Sequence, residues 1–358
     1  MSARSLHTAT ELADGSVLIA GGYDTTLATL ASAEIYDPIT RTFTATGSMG
    51  AGRVAAEATQ LRSGRILMVG GQDASGNAIA SAELYDPITG TFSPTGSLLT
   101  PRLNPTVTLL KGGRVLVAGG YEGTSHGTPL ATAEIYKPKI GRFEETGSMG
   151  TARRNATATL LRDGTVLVAG GYNGRAVNSP ELFNPKSGSF SPAEGMSTPR
   201  RYPTASLLPN GAVLMAGGFA TATGDALKSS ERFVHSRWSW LTGAGKFVKD
   251  GMMHIARGRH TATQVSRNSI LMAGGFDGVL PLASAELYNV ARQTFKEVGS
   301  MHTARYRHTA TPLKNGTVLI VGGADASGAL ATAELFQWTG YGTRPDGALL
   351  TGNTVELV

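Results

Sequence analysis

The chain contains no cysteine in 358 residues, which rules out disulfides, thiolate metal ligands and thiol nucleophiles together. Charge is sparse as well: only 16% of residues are Asp, Glu, Lys or Arg. Apolar runs such as Val318-Leu319-Ile320-Val321 stop far short of the roughly 20 residues needed to cross a bilayer, so no membrane insertion is expected. Met1-Ser2-Ala3-Arg4 lacks the apolar core of a secretion signal. It reads instead as part of a repeat junction, so a processed or trimmed chain is expected. No nucleotide loop, hydrolase elbow or paired-carboxylate motif stands out. With 41% hydrophobic residues, the chain is nonetheless globular rather than disordered.

What it has in abundance is glycine, 47 residues in all. Seven Gly-Gly pairs begin at Gly21, Gly70, Gly119, Gly170, Gly217, Gly274 and Gly322, separated by 49, 49, 51, 47, 57 and 48 residues. A period near fifty marks one small unit repeated, whose apolar face is buried only by its neighbours.

The first unit shows what is repeated. His7 to Leu12 alternates in the manner of a strand. Asp14-Gly15 follows as a two-residue hairpin signal, with Asp163-Gly164, Asn210-Gly211 and Asn315-Gly316 in its place elsewhere. Val17-Leu18-Ile19-Ala20 is continuously apolar, as in a strand buried on both faces, and Gly21-Gly22 ends it. Ala33-Glu34-Ile35-Tyr36 is a third strand stopped by Asp37-Pro38. The fourth is short and carries Phe43, repeated as Phe92, Phe143, Phe190, Phe247 and Phe295. Four antiparallel strands per unit in seven units predict radial closure. The expected fold is all-β, a seven-bladed β-propeller forming a single domain over 1–358. Its repeats run approximately 4–49, 53–98, 102–149, 153–196, 200–253, 257–301 and 305–358.

Gly-Gly after an apolar strand, Glu83-Leu84-Tyr85-Asp86-Pro87, the fourth-strand aromatic and Arg-x-x-His before the first strand together resemble the kelch repeat. The resemblance covers about residues 4 to 338. It departs in using Phe where many kelch repeats carry Trp. In the seventh copy no aromatic follows Phe336 at the expected spacing. The tail is expected to supply that strand, from Ala348-Leu349-Leu350 or Val355-Glu356-Leu357, without mixing strands from the two ends in one blade. Galactose oxidase is similar in fold and uses copper with a Tyr–Cys crosslink; lacking cysteine, this chain is expected to use no such cofactor. Abundant Thr, Ser and Gly resemble a secreted bacterial kelch protein without its export signal, a cytoplasmic location staying open.

Arg4, Arg53, Arg102, Arg153, Arg200, Arg257 and Arg305 share one repeat position, and Glu34, Glu83, Glu134, Glu181, Glu231, Glu286 and Glu334 share another. Seven copies of each suit structural ion pairs that lock neighbouring blades. Function belongs where the copies differ. In a propeller the fourth-to-first and second-to-third connections surround one mouth of the central channel. The fourth-to-first junctions read Val54-Ala55-Ala56, Leu103-Asn104-Pro105 and Arg154-Asn155-Ala156 in three blades, bland in blades two and three. In blades five, six, seven and one they read Arg201-Tyr202-Pro203, Gly258-Arg259-His260, Tyr306-Arg307-His308 and Ser5-Leu6-His7. His254 and His302 fall in the same sector.

This predicts a cationic arc of Arg201, Tyr202, Arg259, His260, Tyr306, Arg307, His308 and His7. The formal charge of +6 and pI near 9.5 lean the same way, toward anionic partners. The leading expectation is a non-catalytic binding or scaffold propeller, monomeric, that recognises an acidic glycan or acidic protein segment. The alternative is an acid-sugar lyase or isomerase with Tyr202 or Tyr306 as base, Arg259 or Arg307 neutralising a carboxylate and a histidine as acid. The plainer account of His7, His260 and His308 is the repeat's own Arg-x-x-His preference. Equivalent positions on adjacent blades stand too far apart for shared Zn–N bonds of about 2.0–2.1 Å, so no metal is expected. Basic residues are dispersed and no aromatic–basic motif recurs, so no nucleic acid is expected either. A second irregularity is the 16-residue interval from Glu231 to Phe247. It carries His235, Arg237, Trp238 and Trp240 on the opposite face, where packing against Trp338 and Tyr341 is expected.

Overall fold

Burial explains the strand pattern first. The second strand of every repeat is buried along its apolar run, as in Val17–Ala20, Ile66–Val69, Val115–Ala118 and Val166–Ala169. Alternate side chains serve opposite neighbours. Leu18 and Ala20 pack with Ile66 and Met68 of the next repeat, whereas Val17 and Ile19 pack with Leu319 and Val321 of the last. A sheet buried on both faces needs no polar face, hence runs without alternation. Each Val, Leu, Ile or Met side chain so removed from water contributes roughly 1.5–3 kcal/mol.

The computed structural model describes all residues except 125–126, 222–223, 236–244 and 338–353. It contains seven four-stranded antiparallel sheets, each ordered first to fourth in sequence. Blade 1 comprises Thr8–Glu11, Val17–Ala20, Ala33–Asp37 and Thr42–Ala45. The shared core of blades 7 and 1 closes the ring, so the chain is a seven-bladed β-propeller. In six blades the fourth-strand Phe stacks on the third-strand aromatic opposite, as Tyr36 on Phe43 with centroids 4.9 Å apart. In blade 7 the fourth strand is Thr354–Leu357, with Phe336 opposite Val355. The second tail candidate is therefore the one used, and Ala348-Leu349-Leu350 lies outside the described residues. Arg41 of blade 1 pairs with Glu356 of this strand at 2.8 Å.

Two expectations are corrected. The first hairpin is not a two-residue turn, because Glu11 pairs with Val17. Leu12 N–H donates to the Ser16 carbonyl, and only Gly15 is left-handed, at φ 95°. Asp14 acts through its carboxylate, which accepts the Ser16 N–H and hydroxyl. The Arg–Glu pairs, secondly, lie within single blades rather than across two. Arg305 meets Glu334 at 2.6 Å, both within blade 7 and both buried. The same guanidinium donates to the Gly322 and Thr332 carbonyls. The link between blades is backbone. The second glycine of each pair donates its N–H to the carbonyl of the next blade's Arg, from Gly22 to Arg53 through Gly323 to Arg4. The first glycine of the pair has no room for a side chain either: a Cβ on Gly274 would lie 2.5 Å from the Arg305 carbonyl oxygen and 2.8 Å from His308 Cε1.

A cation–aromatic arc at the channel mouth

The residue two before each first strand stands at the channel mouth. Leu6, Ala55, Asn104, Asn155, Tyr202, Arg259 and Arg307 all have φ between 50° and 57°, a region L residues occupy at a cost of about 1–3 kcal/mol. A belt of backbone hydrogen bonds holds them there. Ala55 donates to Leu6, Asn104 to Ala55, Tyr202 to Asn155, Arg259 to Tyr202, Arg307 to Arg259 and Leu6 to Arg307. Because the conformation is common to all seven blades, it belongs to the architecture. What differs is the side chain each position presents to one cavity of about 590 Å3.

The two halves of that cavity differ in chemistry. Blades 1 to 3 contribute no cation: Leu6, Val54, Ala55, Leu103 and Pro105 alternate there with Tyr23, Glu57, Gln72, Asn104 and Tyr121. Blades 4 to 7 contribute arginines interleaved with rings. The Arg154 guanidinium lies 4.4 Å from the Tyr121 ring and 5.3 Å from Tyr172. Arg201 lies 5.6 Å from Tyr172 and 5.4 Å from Phe219. Arg259 sits 4.6 Å from Tyr202 and 5.9 Å from Tyr306, and Arg307 sits 5.2 Å from Tyr306. Gly258 makes room for this stack, since a Cβ there would lie 2.2 Å from the Phe219 ring.

Electrostatically the arc is frustrated. Burial lowers the Arg201 pKa, and neighbouring Arg259 and Arg154 add to the shift while Tyr202 and Tyr172 oppose it. Arg307 is lowered by burial and then by Arg259. Among the described residues no carboxylate lies within ion-pairing distance of Arg259 or Arg307. Ring faces partly offset a buried guanidinium but leave its charge uncancelled.

Of the eight residues predicted from sequence, Tyr202, Arg259 and Arg307 line the cavity at the belt, with His260 and His308 beside them. Arg201 and Tyr306 stand one residue back and stack on the arc. His7 does not line the cavity. The three histidines are buried between blades, each with Nε2 on the first-strand Thr of the preceding blade: His7 on Thr309 at 2.9 Å, His260 on Thr204 at 3.0 Å and His308 on Thr261 at 3.1 Å. Burial, then the charge of Arg4 or Arg305, pushes His7 and His308 down to about 3. His260 is likewise held well below its ordinary value by burial and then Arg257. All three are neutral at physiological pH, as a repeat-specific packing role requires. His254 and His302 sit away from the cavity, Nδ1 on Glu286 at 3.0 Å and on Glu334 at 3.3 Å. Among the described residues no three His, Asp or Glu side chains gather as a metal site would need. On the opposite face His235 lies 3.6 Å from Asp163; Arg237, Trp238, Trp240, Trp338 and Tyr341 lie outside the described residues.

Sequence reasoning missed four participants. Arg154 and Tyr121 extend the arc one blade further than expected, and blade 1 adds Tyr23, whose hydroxyl donates to Gln72 at 2.8 Å, rather than a cation. The fourth is Glu57, the first residue of its blade's inner strand and part of the cavity wall. In the other six copies that position is Thr8, Thr106, Thr157, Thr204, Thr261 or Thr309, and this in-register substitution was the available signal.

A kelch-motif family model matches residues 153–197, the stretch from the Arg153 lock through the fourth strand of blade 4. The chain is a kelch-repeat β-propeller. The solved structure of a fungal alcohol oxidase of the AA5 family, in complex with copper, shares its fold. That likeness has a TM-score of 0.79 at 17% identity, covering 98% of this chain and 77% of the oxidase. No curated protein matches the sequence. The kelch fold supports a binding or scaffold role.

Proposed function

We propose that this kelch propeller binds a small anionic ligand at the channel mouth, an acidic sugar residue of a glycan being the best fit. One observation carries the reading. Guanidinium and ring alternate along the mouth from Tyr121 to Arg307, with Tyr121, Arg154, Tyr202, Arg259 and Arg307 lining one cavity, and Arg259 and Arg307 meet rings there in place of carboxylates. Guanidinium offers a carboxylate two parallel N–H donors. Tyrosine faces suit the C–H side of a sugar ring. A volume near 590 Å3 falls within the roughly 300–1,000 Å3 of small-molecule pockets. An acidic protein segment would present the same carboxylate from a bulkier chain.

The reading is tested by calorimetric titration of glucuronate, glucose and a hexa-aspartate peptide into the protein and its Arg307→Ala variant. Glucuronate is expected to bind, glucose to bind at least tenfold more weakly, and the variant to lose at least tenfold in glucuronate affinity. Equal affinities in the two proteins sink the proposal; preference for the peptide transfers the site to an acidic protein segment. The lyase or isomerase reading of the same cavity gains support from Glu57, since acid–base chemistry favours a group that titrates near neutrality. Incubation with oligouronides, followed for unsaturated products, tests it.

A further inference from the structure

The first position of each inner strand is normally self-sufficient. Thr204, Thr261 and Thr309 bond the histidine of the next blade. Thr106 and Thr157 turn back to carbonyls of their own second strand, Ala118 and Ala169, both at 3.2 Å. Glu57 has neither option. The blade that follows presents Pro105 where blades 6, 7 and 1 carry a histidine, and proline has neither ring nitrogen nor N–H to offer. Among the described residues the Glu57 side chain makes no hydrogen bond and no ion pair, yet it lines the cavity that the arginines enclose from the other side.

We propose that Glu57 is the proton-bearing group of this cavity, a neutral carboxyl that donates a hydrogen bond to the bound ligand, so that anion capture is coupled to proton uptake. The proposal rests on the reading of the arc given above and narrows the ligand. It needs a carboxylate at one end and an uncharged hydroxyl, ether or carbonyl oxygen within reach of Glu57 at the other, as a uronate has.

Its surroundings let Glu57 hold its proton up to near neutrality. Burial raises its pKa to about 7, and no charged neighbour contributes, so the carboxyl is not a counter-ion of the arc. Of the strands packed against it, Ile66–Val69 of its own blade and Thr106–Leu109 of blade 3 carry no titratable side chain. Thr8–Glu11 of blade 1 carries only Glu11, at its far end. Around the cavity stand Arg154, Arg259, Arg307, His260, His308, Tyr23, Tyr121 and Tyr202. The two histidines are held neutral, and burial raises Tyr23 and Tyr121. An entering anion opposes a second negative charge in the same low-dielectric space and raises the Glu57 pKa further.

Glucuronate titrations at pH 6, 7, 8 and 9, each in two buffers of different ionisation enthalpy, test the coupling. The expected wild-type result is nearly constant affinity below pH 7, a loss approaching tenfold per pH unit above it, and uptake of up to one proton per ligand. Glu57→Gln keeps a neutral donor amide and is expected to bind with flattened pH dependence and no proton uptake. An unchanged pH dependence in Glu57→Gln overturns the proposal, as does a wild-type affinity flat across the range.

If glucuronate binds neither protein, the reading of the arc fails, and the free proteins still decide the protonation. A folded carboxyl with a raised pKa holds its proton after the unfolded chain has lost it, so stability falls as pH rises between the two values. The urea midpoint of wild type relative to Glu57→Gln is therefore expected to fall from about pH 4.5 to 7 and to level off above. A difference constant over that range overturns the proposal.

Discussion

The two ends of the central channel are built from the same cations put to different use. At the mouth, backbone N–H groups link the belt from Asn104 through Ala55, Leu6, Arg307, Arg259 and Tyr202 to Asn155, leaving the side chains for the cavity. At the far end, long side chains do the closing. Arg62 donates to the Lys111 carbonyl, Lys111 to Arg162, Arg162 to Pro209 and Lys314 to Ala13, each reaching the first hairpin of the following blade. A guanidinium occupied by a carbonyl is structural. One flanked by rings and other guanidiniums, as Arg259 is, is the kind the proposed anion would engage. Position along the axis separates the two roles, and composition does not.

Several substitutions sharpen this contrast. The largest effect is expected beneath the mouth, where Arg305→Ala leaves Glu334 buried without its guanidinium. Removing one partner of a buried pair costs about 3–5 kcal/mol, which a lowered urea midpoint would report; a midpoint within 1 M of wild type, given a slope of roughly 1–3 kcal/mol/M, would contradict the lock. Next come the interblade histidines. Because His308 is held neutral down to about 3, the unfolded chain takes up a proton first as pH falls below the usual histidine value near 6.5. Stability then falls from about pH 6.5 toward 3, by at most about 1.4 kcal/mol per pH unit from this group. His308→Gln should be less sensitive to acid over that window, and equal sensitivity would refute the assignment.

At the far end, Lys111→Ala loses one carbonyl contact and is expected to lose about 1 kcal/mol of stability with glucuronate affinity unchanged. The smallest stability effect belongs to Arg307→Ala, within about 0.5 kcal/mol of wild type despite its loss of ligand. A reversal of those last two results, stability lost at Arg307 and binding lost at Lys111, would exchange the roles given to the two ends.

The fold was legible because each requirement is stated six or seven times. Gly-Gly marks where a carbonyl of the next blade approaches too closely for a side chain, and Tyr36 with Phe43 marks a cross-strand pair found in six blades. The site was legible only in part. Tyr202, Arg259 and Arg307 stood out as departures in a junction. Arg154 was passed over because its neighbours Asn155 and Ala156 are bland, and only packing reveals Tyr121 beneath its guanidinium at 4.4 Å. Glu57 hid inside a strand whose alternation it does not disturb. Its meaning depends on Pro105 in the next blade, 48 residues away, a relation no local pattern expresses. The histidines were conspicuous for the opposite reason: their chemistry invites a functional role, while their burial gives them a packing one.

Since every blade is made from one uninterrupted stretch of sequence, with Gly323 bonded to Arg4 in the same way as Gly22 to Arg53, the seam between blades 7 and 1 is held like the other six. Circular permutants that join the ends and open the chain at another junction should fold to the same wheel. A blade can likewise be swapped for its counterpart as a cassette, which would let the arginine-lined half be rebuilt sector by sector.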